Sequence, residues 1–419
     1  MILEMKILYF SSTDFYRKPN PSFHLMYAMI SDILDRMDEV FYVGPAIQNV
    51  EKHIPDEFAN NPNFHYRLVE IPPVAKGNFP LRYLKQVQYA FKARKFIKEY
   101  MPNCDLVFVQ SSASILFYTL IASHYTKNQK VLINIQDMFP GSSIASGVMH
   151  RKWMQKIFYS LQKICYRKAD MIVGISEDMR DKIMEQGVPY EKTRVVLNWF
   201  DDKSVHYVQW DENRFVKKYN MTKDKFYVQY AGTMGYVFDY KIVLEVAKRL
   251  NDYTDIEIQM IGMGSQKDIF VEKAKELGLS NIHFLPLEPQ EMVSDVYSAC
   301  SVCYIPLKHG IIGNSVPSKA GLLMECHKPI ITSVDRGCKY AQEINENRIG
   351  IACSDDDPKS VVDAILYLYN NPAECREMGD RGYNYGHKLY SRSYNMEKYF
   401  EIFEALCIRD ELIIDDSKI

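Results

Sequence analysis

Residues 227–251, YVQYAGTMGYVFDYKIVLEVAKRLN, determine the fold class of this chain. An apolar stretch at 227–231 predicts a strand, two glycines follow at Gly232 and Gly235, and a helical pattern begins near residue 239. Apolar strands that alternate with helices are typical of parallel sheets buried on both faces. The stretch therefore predicts an α/β fold in which helices cover a parallel sheet.

The same strand–helix unit recurs in two rounds along the 419 residues. The first round has predicted strands at 6–10, 40–43, 105–110, 131–136, 171–175 and 195–197. The second has predicted strands at 227–231, 256–261, 282–285, 302–305, 329–332 and 350–353. A chain of this length is expected to divide into domains. We predict two doubly wound Rossmann-like domains facing a cleft, at 1–203 and 204–384, and closing helices at 385–419.

The amino-acid composition is that of a folded chain that does not span a membrane. Hydrophobic residues make up 47% and charged residues 25%, as in globular proteins rather than disordered ones. No apolar run approaches the roughly 20 residues of a membrane span, and the first ten residues predict no signal peptide. The nine cysteines lack paired zinc spacing, and we expect a reducing, cytoplasmic compartment. The one CxxC, Cys300 to Cys303, fits a buried structural pair, with a redox or metal pair as the alternative.

Two glycine-containing turns follow strands of the second round. Gly232, Thr233 and Gly235 follow one strand, and Gly262 and Gly264 follow the next. Glycines at a strand-to-helix turn let backbone N–H groups approach a phosphate near a helix N-terminus. A plain tight turn would leave the same pattern, but two such turns in one domain favour a phosphate site.

A third candidate segment runs from Lys308 to a predicted helix at 317–325. Pro317 suits the first turn of a helix, and a lysine in that turn, Lys319, opposes the helix dipole. A bound diphosphate would remove this conflict, whereas the alternative is a solvated lysine at a helix start. The predicted phosphate-binding residues of this segment are Lys308, Asn314, Ser315, Ser318 and Lys319.

The first domain offers a carboxylate at the end of a strand. Asp137 follows the predicted strand 131–136 and could orient or deprotonate a hydroxyl group, although an Asp before Pro140 also suits a turn. His24 begins a helical stretch, where a polar helix-face residue is the alternative to a ligand. We expect the acceptor side of the cleft to be lined by Ser11, Ser12, His24, Gln136 and Asp137. The acidic run 355–357 is typical of a helix start, with a metal site as the alternative, and we predict no metal.

At these residues the sequence resembles the retaining family 4 glycosyltransferases, in particular the bacterial polysaccharide branch that includes the fucosamine transferases. The resemblance covers most of the chain. Its motifs are Gln136-Asp137-Met138-Phe139-Pro140, Ala145-Ser146-Gly147, Lys168-Ala169-Asp170, Asn198-Trp199, the 230–235 and 261–264 turns, Val316-Pro317-Ser318-Lys319 and Lys328-Pro329-Ile330. The ordered set is specific, although each motif alone is not.

This resemblance implies a GT-B fold and transfer of a sugar from a nucleoside-diphosphate-sugar, expected to be UDP-linked, onto a lipid-linked or other glycan in surface polysaccharide synthesis. It also implies no cofactor and no essential metal, contact of Pro286 and Leu287 with the base, and a C-terminal helix that crosses back to the first domain. We assign stabilisation of the leaving diphosphate to Lys319 and orientation of the acceptor to Asp137. The alternatives are a GT-B epimerase of sugar nucleotides and a catalytically silent partner that binds a nucleotide-sugar or a glycan.

The chain departs from the family at the donor site. Many relatives carry two Glu residues eight positions apart, where this chain has Asn314 and Leu322, and we expect Glu325 to hold the ribose instead. Where many relatives have a basic residue after the first glycine turn, this chain has Tyr236, Val237 and Phe238. Lys319, Lys308 or Lys241 must then neutralise the diphosphate.

The net charge of −2 conceals a strongly basic segment. Residues 76–168 carry 15 basic and 3 acidic residues, a net +12. Two helical stretches, near 80–100 and 151–168, mix these charges with bulky apolar residues, as interfacial helices do. Ordinary solvated helix faces are the alternative. We expect peripheral attachment to an anionic surface at the inner membrane face and no nucleic-acid partner.

Overall fold

The computed structural model describes residues 3–16, 23–47, 54–72, 79–110 and 115–407. Two parallel sheets, one of seven strands and one of six, follow each other along the chain. Helices pack on both faces of each sheet, and each face has its own buried apolar cluster. The predicted α/β fold with two doubly wound domains is confirmed.

The first sheet has the strand order β3-β2-β1-β4-β5-β6-β7. Its strands are β1 (Leu3–Phe10), β2 (Met37–Ile47), β3 (Phe64–Ile71), β4 (Leu106–Gln110), β5 (Lys130–Asn134), β6 (Met171–Gly174) and β7 (Thr193–Val195). The helices between them are α1 (Phe23–Arg36), α2 (Asp56–Ala59), α3 (Phe79–Tyr100), α4 (Ile115–Tyr125), α5 (Gly141–Ala145), α6 (Lys152–Lys168) and α7 (Glu177–Glu185).

The second sheet has the order β10-β9-β8-β11-β12-β13. Its strands are β8 (Phe226–Ala231), β9 (Ile256–Ile261), β10 (Ile282–Leu285), β11 (Val302–Pro306), β12 (Ile330–Val334) and β13 (Gly350–Ser354). Its helices are α8 (Arg214–Lys218), α9 (Tyr240–Leu250), α10 (Lys267–Glu276), α11 (Val293–Ser298), α12 (Ala320–Glu325), α13 (Lys339–Glu346), α14 (Pro358–Asn370) and α15 (Pro372–Leu389). In both sheets the order reverses beside the first strand, which is where open parallel sheets bind ligands.

Two sequence expectations were wrong in detail. The strand β3 was not predicted, because only Phe64 and Val69 are buried and the strand includes His65, Arg67 and Glu70, as suits the edge of a sheet. The helix expected at 317–325 begins only at Ala320, with Lys319 as its N-cap residue. Pro317 therefore precedes the helix instead of opening it.

The last described helix, α16 (Arg392–Cys407), packs on the first sheet. Tyr399 and Phe403 lie against Phe108 of β4, with ring centroids 5.9 Å from it in each case. Arg392 forms a bidentate ion pair with Asp32 of α1, with both N–O distances at 2.7 Å. The chain thus returns from the second sheet to the first and is anchored there by apolar contacts and a charge pair.

None of the helices in the described residues combines the length and the apolar character that crossing a membrane requires.

Candidate functional site

The turns after β8 and β9 interlock at the carboxyl edge of the second sheet. The Gly232 N–H donates to the Ile261 carbonyl at 2.8 Å. A Cβ on Gly262 would lie 2.0 Å from the Gly232 oxygen, and the φ angle of Gly262 is +134°. The glycines are thus required by the close approach of the two turns. Because the Gly232 N–H is already bonded inside the protein, a phosphate at this turn would need other donors, and donor binding by the turn stays a prediction.

Lys319 brings its ammonium group to these turns. Its Nζ donates a hydrogen bond to the Ala231 carbonyl and lies 4.5 Å from the ring centroid of Tyr230. A Cβ on Gly232 would lie 1.3 Å from this Nζ. Glycine at position 232 therefore leaves the space that the lysine head occupies.

The ammonium group of Lys319 is enclosed by protein, although part of the residue stays accessible. Burial lowers its pKa to about 8. No carboxylate of the described residues forms an ion pair with it. A buried charge without a partner is costly, so this position favours an anionic ligand.

The other predicted donor residues differ in their exposure. Burial lowers the pKa of Lys308, and Asp239 nearby opposes the shift. Thr233 and Ser318 are exposed, and Pro286 and Leu287 form an exposed rim after β10.

Sequence reasoning missed a second lysine at this edge. Lys267, at the start of α10, donates to the carbonyls of Gly262 and Leu285 at 2.7 and 3.2 Å. It holds the ends of β9 and β10 together. The signal that could have revealed it is the one used for Lys319, a lysine in the first turn of a helix, where it opposes the helix dipole.

The segment 308–315 crosses the cleft and contacts the first domain. The Met138 N–H donates to the Asn314 carbonyl at 2.8 Å, and a Cβ on Gly141 would lie 2.0 Å from the Asn314 side-chain oxygen. Lys182 of α7 donates to the Ile312 carbonyl at 2.8 Å. These contacts bring the predicted donor and acceptor segments together.

Asp137 lies where the two segments meet. Its side chain forms a hydrogen bond with Ser315, across the cleft. Water reaches the carboxylate, yet the surrounding protein desolvates it enough to raise its pKa, while the Ser315 hydrogen bond opposes the rise. A carboxylate in this setting can accept a hydrogen bond from an acceptor hydroxyl.

The remaining acceptor candidates lie at the carboxyl edge of the first sheet or near it. Ser11 is buried, and its hydroxyl donates to the Thr13 carbonyl at 2.6 Å. The Ser12 hydroxyl is buried and makes no hydrogen bond to a described residue. Gln136 contacts Asn134 through its side chain at 3.2 Å. His24 lies in the first turn of α1, and its side chain falls outside the described part of the chain.

Glu325 is not exposed to a ligand beside the glycine turns. Its carboxylate is buried and lies 2.8 Å from Nδ1 of His387 on α15. Sequence spacing along α12 could not show this pairing, because the partner is 62 residues away.

A group that could hold a metal ion follows three strands of the second sheet. Ligand atoms of His309, Asp335 and Asp355 lie within 4.8 Å of one another. Asp335 also accepts hydrogen bonds from the Gly310 and Ile312 N–H groups, at 2.6 and 3.2 Å, and so shapes the segment that crosses the cleft. The sequence did not reveal this cluster, because its members are 20 or more residues apart.

Comparison with known families assigns both halves of the chain. Residues 211–385 match the family described as Glycosyl transferases group 1, and residues 36–204 match Glycosyltransferase Family 4. The chain consists of two glycosyltransferase domains in the GT-B arrangement. The cleft with Lys319 and Asp137 lies between these two domains.

Individual relatives agree with this assignment. A Pseudomonas aeruginosa protein named "Probable glycosyltransferase WbjE" is 24% identical over 364 residues, which cover 86% of this chain and 87% of that protein. Sucrose-phosphate synthase from Thermosynechococcus elongatus has a TM-score of 0.72 at 15% identity, over 96% of this chain and 99% of the other. Anabaena HepE in complex with UDP-glucose has a TM-score of 0.71 at 12% identity, over 96% and 100%. The structural likenesses show the GT-B fold.

Proposed function

We propose that this GT-B glycosyltransferase transfers a sugar, with retention of configuration, from a UDP-sugar to a lipid-linked glycan during surface polysaccharide synthesis. The observation that carries the proposal is the enclosed ammonium group of Lys319, which contacts the turn at Gly232 and has no carboxylate partner among the described residues. A diphosphate is the anion that a nucleotide-sugar would supply there.

The donor side of the cleft suits departure of a nucleoside diphosphate. The leaving group gains negative charge as the sugar becomes oxocarbenium-like, and a cation fixed beforehand stabilises that charge with little reorganisation. Lys319 is fixed by the Ala231 carbonyl and the Tyr230 ring. The second cation, Lys308, is half-buried in the segment that leads to Lys319, and we expect it to share the charge.

On the acceptor side, Asp137 orients the attacking hydroxyl. The Ser315 hydrogen bond links this carboxylate to the donor segment, so the two substrates would be held in a defined mutual position. The retaining outcome and the UDP-linked donor rest on the resemblance to family 4, and HepE provides a related fold with UDP-glucose bound.

A membrane location for the acceptor is supported by the surface of α3 and α6. Six of the fourteen exposed large apolar side chains in the described residues lie on these two helices: Leu81, Leu84, Phe91, Trp153, Ile157 and Ile164. The rings of Tyr83 and Phe158 join the helices, and both contact Phe139, two residues after Asp137. A bilayer against this face would thus lie close to the acceptor carboxylate.

Basic residues flank the apolar ones on α6. At about 100° per residue, Trp153, Ile157 and Ile164 share a sector of about 40°. The neighbouring sector, about 60° wide, holds the basic residues Lys152, Lys156, Lys163 and Arg167. This arrangement is typical of helices that lie in the plane of an anionic membrane surface. We propose that the protein is peripheral at the inner membrane face.

A panel of nucleotides tests the donor assignment. UDP and UDP-sugars should raise the midpoint of thermal unfolding, by about 2.7 kcal/mol of added stability at 100 times Kd. Inorganic phosphate and ribose at equal concentration serve as controls and should not do so. Equal stabilisation by all nucleoside diphosphates would contradict a UDP-specific site.

A second candidate function is a catalytically silent partner that binds a nucleotide-sugar. The pairing of Glu325 with His387 favours it, because the carboxylate expected to hold the ribose is already engaged. Nucleotide stabilisation without any release of UDP from UDP-sugars, tried with lipid-linked acceptors, would support this alternative.

Transfer should proceed at full rate in excess chelator, because Lys319 and Lys308 supply the positive charge that a metal ion provides in other enzymes. The measurement is the initial rate with and without EDTA. A rate lost in EDTA and restored by magnesium or manganese would contradict a metal-independent reaction. His309→Ala, which removes one member of the cluster with Asp335 and Asp355, would then show whether that cluster is the metal site.

A further inference from the structure

A cavity of about 420 Å³ opens beside the C-terminal half of α6, away from the cleft. Its walls come from α6 and from the segment that follows α7, including Tyr166, Gln186 and Gly187. Three basic residues, Lys163, Arg167 and Lys192, line it, and no acidic residue does. Its volume falls in the range of about 300–1,000 Å³ that small-molecule sites occupy.

The positive charges around this cavity are not neutralised by acidic residues in the described part of the chain. None of the three basic residues forms an ion pair with a carboxylate of the described residues, and the Lys192 ammonium donates only to the Ala169 carbonyl, at 3.4 Å. A helix dipole favours cations in the last turn of a helix, which accounts for Arg167. It does not account for Lys163, which lies more than a turn before the end of α6 at Lys168.

The position of the cavity relates it to the proposed membrane face. Lys163 and Arg167 belong to the basic sector of α6, directly beside the sector of Trp153, Ile157 and Ile164. If those apolar side chains enter the acyl boundary of a bilayer, the cavity lies at the level of the headgroups. Arginine recognises a phosphate through two parallel hydrogen bonds, and lysine adds a compact charge.

We propose that this cavity binds the phosphate of an anionic phospholipid headgroup and so holds the acceptor domain on the membrane. The inference rests on the proposed membrane contact, but it is more specific. A diffuse basic surface responds to the charge density of the bilayer, whereas a phosphate site selects the headgroup that carries the charge.

The probe is monomeric dihexanoyl phosphatidylglycerol, kept below its micelle concentration and titrated into the full chain. The test variant is Lys163→Gln/Arg167→Gln. The control is Lys127→Gln/Lys130→Gln, which removes the same charge from exposed positions outside α3 and α6.

The wild type and the control should show saturable binding. The test variant should bind about 100-fold more weakly or not at all, because two charge-assisted hydrogen bonds are lost. Circular dichroism confirms that both variants fold.

Sedimentation with vesicles distinguishes a specific headgroup site from general attraction to an anionic membrane. At equal surface charge, the wild type should sediment more with phosphatidylglycerol vesicles than with vesicles made anionic by fatty acid, and the test variant should lose this preference. Equal sedimentation with both kinds of vesicle, together with no saturable binding of the monomeric lipid, would overturn the headgroup site while leaving membrane contact intact. If inorganic phosphate binds as tightly as the lipid, the headgroup proposal is also overturned, because the cavity would then be a site for free phosphate.

Discussion

Lys319→Met will lower the rate of sugar transfer by about 2–4 kcal/mol in barrier, the size expected when one group that stabilises a leaving charge is removed. Methionine retains most of the volume that Gly232 and Tyr230 leave for this side chain. The variant should unfold at the same temperature as the wild type or higher, because an enclosed, unpaired cation is replaced by an apolar group. The Ala231 carbonyl keeps a donor in the Tyr297 hydroxyl, at 3.2 Å.

The pH dependence provides an independent readout of the same residue. Burial lowers the pKa of Lys319 to about 8, so the free protein loses this charge as the pH rises through 8. The value of kcat/KM, which reports on the free enzyme, should therefore fall above pH 8 in the wild type and not in Lys319→Met. Lys248→Met, an exposed lysine of the same domain, is the matched control and should behave as the wild type. A nearly normal rate in Lys319→Met would show that another cation neutralises the diphosphate.

Reversal of four charges, at Lys92, Lys95, Lys152 and Lys156, will abolish sedimentation with anionic vesicles. All four side chains are exposed on α3 and α6, and each basic residue near an anionic leaflet contributes about 1 kcal/mol. Replacement by glutamate removes that attraction and adds repulsion, so the expected loss exceeds about 4 kcal/mol. The wild type should sediment with anionic but not with zwitterionic vesicles, and high salt should release it.

The control for this experiment reverses four exposed lysines outside the basic segment. These residues are Lys203, Lys217, Lys248 and Lys275. The control variant carries the same net charge, so its continued binding would show that position and not total charge determines attachment. If the wild type ignores anionic vesicles at low salt, the membrane proposal fails, and a soluble acceptor takes the place of the lipid-linked one.

The sequence predicted the strands well where they are buried on both faces. The strands β4, β11 and β12, buried along their whole length, begin and end within two residues of the predicted bounds. The edge strand β3 was missed, because His65, Arg67 and Glu70 interrupt its apolar residues and leave no continuous apolar run. A local sequence pattern thus predicts a strand reliably only where the strand is buried, because buried strands consist mainly of apolar residues.

At the candidate site, the sequence predicted which residues follow the strands, but it could not predict the residues with which they form hydrogen bonds. The hydrogen bonds from Met138 to Asn314 and from Ser315 to Asp137 join segments more than 170 residues apart. The pairing of Glu325 with His387 likewise depends on the packing of α15. Such contacts are set by how the domains pack, and no periodicity along the chain records them.

Transfer of a labelled sugar by the purified protein tests the central claim most directly. The assay combines radiolabelled UDP-sugars with lipid-linked glycans extracted from the producing cells and follows both the release of UDP and the label in the lipid fraction. We expect one UDP-sugar to give equal amounts of UDP and labelled lipid, and Lys319→Met to reduce both together. Stabilisation by UDP-sugars with no UDP released for any sugar or acceptor would contradict it.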